Sequence, residues 1–547
     1  MKRFLFGILM ITAMSAVGRE KIRLREDNVE QVLQAMTVRE KAKLCVGDGW
    51  GSMFEGLHIP LSGRHRVPGA AGETRAIRRL GIPSIILADG PAGVRFKYPG
   101  ATAWPVGQSL CAGGDLRLVE EVGRAIGEEA ASIGVDIMLG PGMNLTTNPL
   151  CGRNYEYFSA DPVRSAHTAA AMIRGIQSAG VGACAKHFAV NRQENDRMHH
   201  DEQVDSLTLR TLYLENFRLA LQEEAPWALM SSYNKVNGTH AQLSHELLTD
   251  ILRDEWHFEG VVLTDWQPHL KAWQKIQAGN DLLMPGADRE VRNIVRAVRN
   301  NKLSKERLDE AAGRVLRMVA KSRTLKGDRP SDFDYHYHRE LCRQAGAAGC
   351  QWLKAPEKPI LSGTEKVALL GSHSYYLIAG GTGSGYVNAG RRVSLFEALW
   401  THAYELGEEL PKAYDKFLKK KSSFRKVEGM SIVSKYLGQP AAKEMRVSVK
   451  QLERAITAAE TVILTIGRQA GEGHDRQPTD LDLTTEEQQL LELTSRICRA
   501  QSKPLTVVLN TAGEMRIEPW VDLADAILMA WCPGQEGGLS IMDVLSR

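Results

Sequence analysis

One pattern limits the fold more than any other. In the first two-thirds of the chain, apolar runs stop abruptly on polar, chemically capable residues. IPSIILADGPAGVR ends in Asp89, VDIMLGPGMN in Asn144, and VGACAKHFAVN in Lys186, His187 and Asn191. WALMSSYN ends in Tyr233 and Asn234, EGVVLTDWQPHL in Asp265 and Trp266, and DLLMPG closes near residue 286. Helical patterns fill the gaps. DLRLVEEVGRAIGEEAASIG (115–134) starts at a capping Asp and stops at a Gly. SLTLRTLYLENFRLALQE (206–223) spaces its apolar residues three and four apart. Strands alternating with helices imply a parallel sheet. Chemistry collected at strand carboxyl ends is what a (β/α)8 barrel provides, although a doubly wound sheet gathers ligands at the same ends.

At 547 residues the chain is too long for a single core. The polar, turn-rich KSRTLKGDRPSDFDYHYH (321–338) marks a boundary, with a barrel domain over 19–325, a linker over 326–344 and a second domain over 345–547. In that second domain KVALLGS (366–372), TVILTIGR (461–468), PLTVVLNT (504–511) and AILMAWCPG (526–534) read as strands. The helical TTEEQQLLELTSRICRAQ (484–501) lies between two of them, which gives an αβα sandwich. A formal net charge of +4 gives no support to nucleic acid as a partner, and KFLKKKSSFRK (416–426) reads as a solvated surface segment. At the N-terminus Lys2 and Arg3 precede FLFGILMITAM and then small residues. This is a signal peptide over 1–18, cut near Gly18–Arg19, so the mature protein is expected to be periplasmic or secreted. The run falls short of the ~20 apolar residues that span a bilayer, and no membrane anchor is expected. The eight cysteines show no CxxC pair and no zinc spacing. Several, such as Cys184, read as small buried hydrophobes, while an exported chain has the chance to form a bridge or two.

Sorted by chemistry, the strand-end residues are carboxylates (Asp89, Asp265), cations (Arg153, Lys186), donors (His187, Asn191) and aromatics (Tyr233, Trp266). No nucleophile-elbow Ser and no HExxH motif is present. His199 and His200 are adjacent and in a strand point to opposite faces, so no metal and no cofactor is expected. GGTGSG (380–385) lacks the Lys-Ser/Thr of a phosphate cradle and reads as a flexible Gly loop lining a cleft. Carboxylates beside aromatics, with fixed donors, suit a small-molecule carbohydrate whose apolar ring face stacks on an indole. Glycoside hydrolysis needs two carboxyl groups. Asp265 is the natural nucleophile, and the first domain offers no evident second.

These residues resemble a known family. DGPAGVR, GPGMNLTTNPLCGRNYEYFSADP, KHFAVNRQENDR, MSSYNKVNG and VVLTDW are similar to segments of the glycoside hydrolase family 3 β-glucosidases. GGTGSGYV, IGRQAGEGHDRQPTDLDL and AWCPGQEGG continue the resemblance in order along the second half. It implies a (β/α)8 barrel followed by an αβα sandwich, with the active site between them. It also implies Asp265 as nucleophile and Glu472, from EGHDR, as acid/base on a second-domain loop. Asp89, Arg153, Lys186, His187, Tyr233 and Trp266 would form the glycone pocket. The implied chemistry is retaining exo-β-glycosidase action, β-glucosidase first, with carboxyl groups ~5–5.5 Å apart. It requires Asp265 to stay ionised beside Lys186 and Arg153, and Glu472 to hold a proton.

Bland readings stand beside these. Asp265 can be a barrel-rim acid, Glu472 a solvated loop residue, and Lys186 and Arg153 parts of an ion network with Glu156 and Glu194, supported by Arg197. The chain departs from the family pattern in having Thr147 for an Arg and Ala160 for a Glu. It stops at IMDVLSR where relatives usually continue, so it is expected to lack their fibronectin-like domain. Alternatives are a β-xylosidase or arabinofuranosidase of the same fold, or a catalytically degenerate sugar-binding protein. KHF leads into AVNRQEN rather than PGHG, which disfavours the family's N-acetylhexosaminidase branch.

Overall fold

A computed structural model describes residues 22–49, 66–95, 100–266, 269–328, 332–363, 365–425 and 440–547. The signal-peptide reading over 1–18 lies outside these residues. The apolar runs become strands β1 (Gly72–Glu73), β2 (Ile86–Asp89), β3 (Ile137–Leu139), β4 (Gly182–Phe188), β5 (Ala228–Ser231) and β6 (Val261–Thr264), neighbours in that order in one six-stranded sheet. Neighbours from β2 to β6 run parallel, whereas β1 is antiparallel to β2. Single bridges close the ring: Leu263 to Leu282 and Val46 to Leu283, both parallel, and Asp48 to Glu73, antiparallel. Six strands and two bridged segments make eight staves. The barrel is therefore closed, with one stave reversed. β4, β5 and β6 are buried along their whole length, as parallel strands covered on both faces must be.

The helices follow their sequence signals. Leu116–Ser132 starts where the Asp115 carboxylate accepts from the N–H groups of Arg117 and Leu118. Pro162–Ser178 starts at Asp161 in the same way, with Pro in its first turn. The two cross closely: a Cβ on Gly175 would meet the Glu120 carbonyl oxygen at 2.1 Å. The stretch 206–223 is helical but not one regular helix, because Leu209–Tyr213 forms a wide turn ahead of Glu215–Glu223.

In the second half, β7 (Gln351–Lys354), β8 (Val367–Leu370), β9 (Thr461–Arg468), β10 (Leu505–Thr511) and β11 (Ala526–Met529) form a sheet ordered β7-β11-β10-β9-β8. It is parallel except for β7. Alternate residues feed two cores. Val462, Leu464 and Ile466 join Val507 and Leu509 on one face, while Ile463, Val508 and Leu528 join the opposite cluster. Both faces are covered, which makes a three-layer sandwich. The stretch 326–344 is not extended chain throughout, because a helix runs over Tyr335–Gly349 from an Asp334 cap and buries Leu341, Cys342 and Ala345. Few apolar residues suffice there because the helix meets neighbours through small ones: a Cβ on Gly346 would lie 2.5 Å from Ser540 Oγ. All eight cysteines are unpaired, and all but the half-buried Cys350 are buried, so the bridges an exported chain can form are not made here.

Candidate active site

The strand-end residues gather on one rim of the barrel. Asp265 stands one residue past β6, and its backbone stays in the ladder: its N–H donates to the Ser231 carbonyl. The strand end is fixed from the other side by Thr264 Oγ1, which donates to the Met284 carbonyl at 3.1 Å and accepts the Met284 N–H at 2.9 Å. Asp265 is thus held rigidly at 6% exposure. Its Oδ1 accepts the Trp266 N–H at 2.8 Å, while Oδ2 has no hydrogen-bond partner among the described residues. The Tyr233 hydroxyl bonds to this carboxyl and accepts the Trp266 N–H at 3.1 Å.

His187 Nε2 lies 3.8 Å from Asp265 Oδ2. Burial and the nearby Arg153 and Lys186 charges hold this imidazole's pKa well below the usual histidine range, so it is neutral. Asn191 Nδ2 donates to the Tyr157 hydroxyl at 2.9 Å, and that hydroxyl lies 3.3 Å from His187 Nδ1. With the Tyr157 O–H donating to Nδ1, the imidazole proton stands on Nε2, facing Asp265.

Arg153, 1% exposed, donates through Nε to Glu156 at 2.6 Å and through Nη2 to Ser384 Oγ at 3.3 Å. Burial drives the Glu156 carboxyl upward against the Arg153 and Lys186 charges. Lys186 is equally buried, at the end of β4 where the register against β5 shifts. The pairs Arg153–Glu156 and Arg197–Glu194 of the expected ion network are present, and Lys186 acts on Glu156 by its charge. Trp266 is half-buried and packs its indole on the barrel core. Asp89 ends β2 on the same rim, where Arg95 Nη1 holds its Oδ2 at 2.7 Å.

Glu472 arrives from the second domain, four residues past β9. Its Oε1 lies 2.8 Å from Arg197 Nη1 and 3.8 Å from Arg153 Nη1, and its Oε2 accepts the Ser384 N–H at 2.7 Å. Burial alone would raise this carboxyl, but Arg197, Arg153 and the Ser384 bonds prevail and hold it well below the usual range. Asp265 goes the other way. Burial raises it, reinforced by Glu472 and opposed by Arg153, Arg197 and the Tyr233 bond. These directions run against the expected pair of ionised Asp265 and protonated Glu472, which counted Lys186 and Arg153 beside Asp265 and left out its desolvation and the clamp on Glu472.

Arg197 links the two acids. It bonds Glu472 and lies 4.7 Å over the Tyr233 ring, whose hydroxyl bonds Asp265. The reading of GGTGSG also changes. Gly381 abuts the Tyr155 ring, and a Cβ on Gly383 would lie 2.4 Å from Glu472 Cβ, so these glycines permit close approach rather than motion. Sequence reasoning treated Arg197 and Glu194 as support and did not single out Ser384, Tyr157 or Asp475. For Arg197 the available signal was its place in RQENDR, just after KHF. At Thr147, where the resemblance expects Arg, the Oγ1 meets the Tyr213 hydroxyl at 3.5 Å, and Arg192 Nη1 bonds that hydroxyl at 3.0 Å. A guanidinium is thus retained in that neighbourhood. Ala160 is exposed. His199 and His200 pair separately, with Asp196 and Glu202.

Comparison with known proteins gives two family matches: the glycosyl hydrolase family 3 N terminal domain over residues 59–318 and the glycosyl hydrolase family 3 C-terminal domain over residues 357–547. Among solved structures, beta-glucosidase 3B from Thermotoga neapolitana in complex with glucose is 37% identical. It aligns at a TM-score of 0.88 over 95% of this chain and 74% of that one. The thermostable beta-glucosidase B of Acetivibrio thermocellus is 32% identical over 535 residues, covering 95% of this chain and 64% of that protein. An exo-alpha-(1->6)-L-arabinopyranosidase of Bifidobacterium breve is 30% identical over 503 residues, covering 87% of this chain and 62% of that protein. The chain spans less than two thirds of the length of these two curated relatives.

Proposed function

The chain belongs to glycosyl hydrolase family 3, and from that premise we propose that it is a retaining exo-β-glycosidase that releases terminal β-glucosyl units. The observation that carries this reading is Asp265 Oδ2, a buried carboxylate oxygen without a hydrogen-bond partner among the described residues, joined through Tyr233 and Arg197 to a second carboxyl, Glu472, from another domain. Asp265 attacks the anomeric carbon as the bond to the aglycone oxygen breaks. Glu472 gives that oxygen its proton. Water then attacks the glycosyl ester, Glu472 takes the water's proton, and Asp265 is released as carboxylate. Arg153, Lys186 and the Nε2–H of His187 serve the sugar hydroxyls as donors, Asp89 as acceptor, and the Trp266 indole stacks on the ring face. The Tyr233 hydroxyl orients Asp265.

The test is release of p-nitrophenol from the β-D-glucopyranoside, β-D-xylopyranoside, α-L-arabinopyranoside and α-L-arabinofuranoside. We expect the glucoside to be turned over fastest and Asp265→Ala to lower its kcat by at least about a thousandfold, as loss of a nucleophile does. Release unaffected by that substitution defeats the assignment. The arabinopyranoside is included because one relative is named for that activity. Retained sugar binding with no release from any of the four would leave the chain a binding protein. The same reading includes export. A mature N-terminus at Arg19, found by mass spectrometry of protein from the expressing cell, is the expected result, and an intact Met1 would refute it.

A further inference from the structure

The loop that delivers Glu472 is fastened to the barrel by an exchange of carboxylates. Asp475 Oδ1 accepts the N–H groups of Gly152 at 3.1 Å and Glu194 at 2.9 Å, and Oδ2 accepts that of Asn195 at 3.0 Å. In return its own N–H donates to Asn195 Oδ1 at 3.1 Å. Glu194 reaches back from the barrel: its Oε2 accepts the Gly473 N–H at 2.7 Å and Arg197 Nη1 at 2.8 Å, the nitrogen that also holds Glu472. Arg476 adds a backbone bond to the Leu150 carbonyl. Contact is tightest at Gly152, where a Cβ would lie 1.9 Å from the His474 carbonyl oxygen. Asp475 is buried, and its three acceptor bonds all end on barrel backbone.

We propose that Asp475 is a positioning residue. By locking the 471–476 loop onto Gly152 and Glu194–Asn195, it sets where the Glu472 carboxyl stands over the scissile bond. The assignment rests on the glycosidase reading above. A carboxylate is suited to this place because every donor is a fixed amide. In Asp475→Asn, one oxygen becomes an NH2 that faces an N–H, so at least one bond is lost and a donor meets a donor.

General acid help matters only when the leaving group is poor, so leaving-group dependence separates a misplaced acid from a weakened fold. Asp475→Asn should lower kcat/KM on phenyl β-D-glucopyranoside by on the order of tenfold to a hundredfold, part of the ~10²–10⁴ that a positioned acid supplies. On 2,4-dinitrophenyl β-D-glucopyranoside the loss should stay under about threefold, because that phenolate leaves without a proton. Sodium azide should restore turnover of the dinitrophenyl substrate where deglycosylation is slow. It attacks the glycosyl-Asp265 ester, yields glycosyl azide, frees the carboxylate and needs no base. Asn195→Ala, which removes a single bond of the exchange, should show the same pattern more weakly. Equal losses on both substrates, or no loss on either, would overturn the inference while the glycosidase reading stands. A wild-type protein inactive on both glycosides would take both down.

Discussion

Burial of Asp265, and the two guanidiniums over Glu472, push the two carboxyls in opposite senses. Asp265 is thereby pushed to hold a proton to higher pH, and Glu472 to lose one at lower pH, than an ordinary carboxyl. The two macroscopic steps belong to the pair, so a bell-shaped kcat/KM profile does not by itself say which limb is which. Glu472→Gln separates them. With 2,4-dinitrophenyl β-D-glucopyranoside, which needs no acid, activity should rise with pH along a single ionisation curve, that of Asp265 freed of the raising charge of Glu472. A profile that keeps two limbs would mean that a group outside this pair sets one of them. VVLTDW, an apolar strand stopping on an acid beside an indole, singled out Asp265 and its place at the strand end. The ionisation of the pair was not legible, because the residue that clamps Glu472 is Arg197, 275 positions away in sequence.

Among the elements, Tyr335–Gly349 shows how a packed helix hid inside a polar stretch. Its buried His338 lies between two carboxylates of helix Leu116–Ser132, with Nδ1 2.9 Å from Glu129 and Nε2 3.1 Å from Glu128. The Phe333 ring stacks on it at 4.8 Å. Burial alone would strip its proton, but Glu129 and Glu128 reverse that and raise its pKa. A histidine raised by folding contributes stability that is whole below its unfolded value of about 6.5 and is lost as pH climbs through the folded value. The melting temperature should therefore fall across the window just above neutral-histidine titration. His338→Gln, which keeps a hydrogen bond but cannot take a proton, should flatten that fall. An unchanged slope in the variant would place the dependence elsewhere. The sequence signalled this segment as a boundary because YHYHRE carries few apolar residues. The cap at Asp334 and the small residues that meet Ser540 and Ser109 become informative only once the neighbours are known.

For the whole molecule, the alternation of strands and helices was enough to read parallel α/β sheets in both halves, since each buried strand announces itself as an apolar run, while the choice of a closed barrel over a doubly wound sheet came from the family resemblance. The reversed stave was not readable: β1 has only Gly72 and Glu73, and the 46–48 and 282–283 segments join the barrel through single bridges. The seam between the domains was equally invisible, because its side chains meet backbone groups some 280 or more positions away in sequence. Gly152→Ala would drive a methyl group into the His474 carbonyl. It should lower hydrolysis of phenyl β-D-glucopyranoside by roughly a hundredfold, the cost of about 1 Å of misplacement. Far-UV circular dichroism should stay that of the wild type. Full activity in Gly152→Ala would mean that the seam has slack.

The touch of Gly152 against His474 also bears on how such a molecule wears out. At this point the two lobes rest chain against chain, and around it Asp475, Glu194 and Arg197 tie side chains across the same seam, so there is no soft range in which one rolls a little over the other. Heating should leave turnover intact up to the point where the lobes part, and then abolish it in a single step. Sugar affinity should outlast that step, because the residues proposed to meet the sugar hydroxyls belong to one lobe.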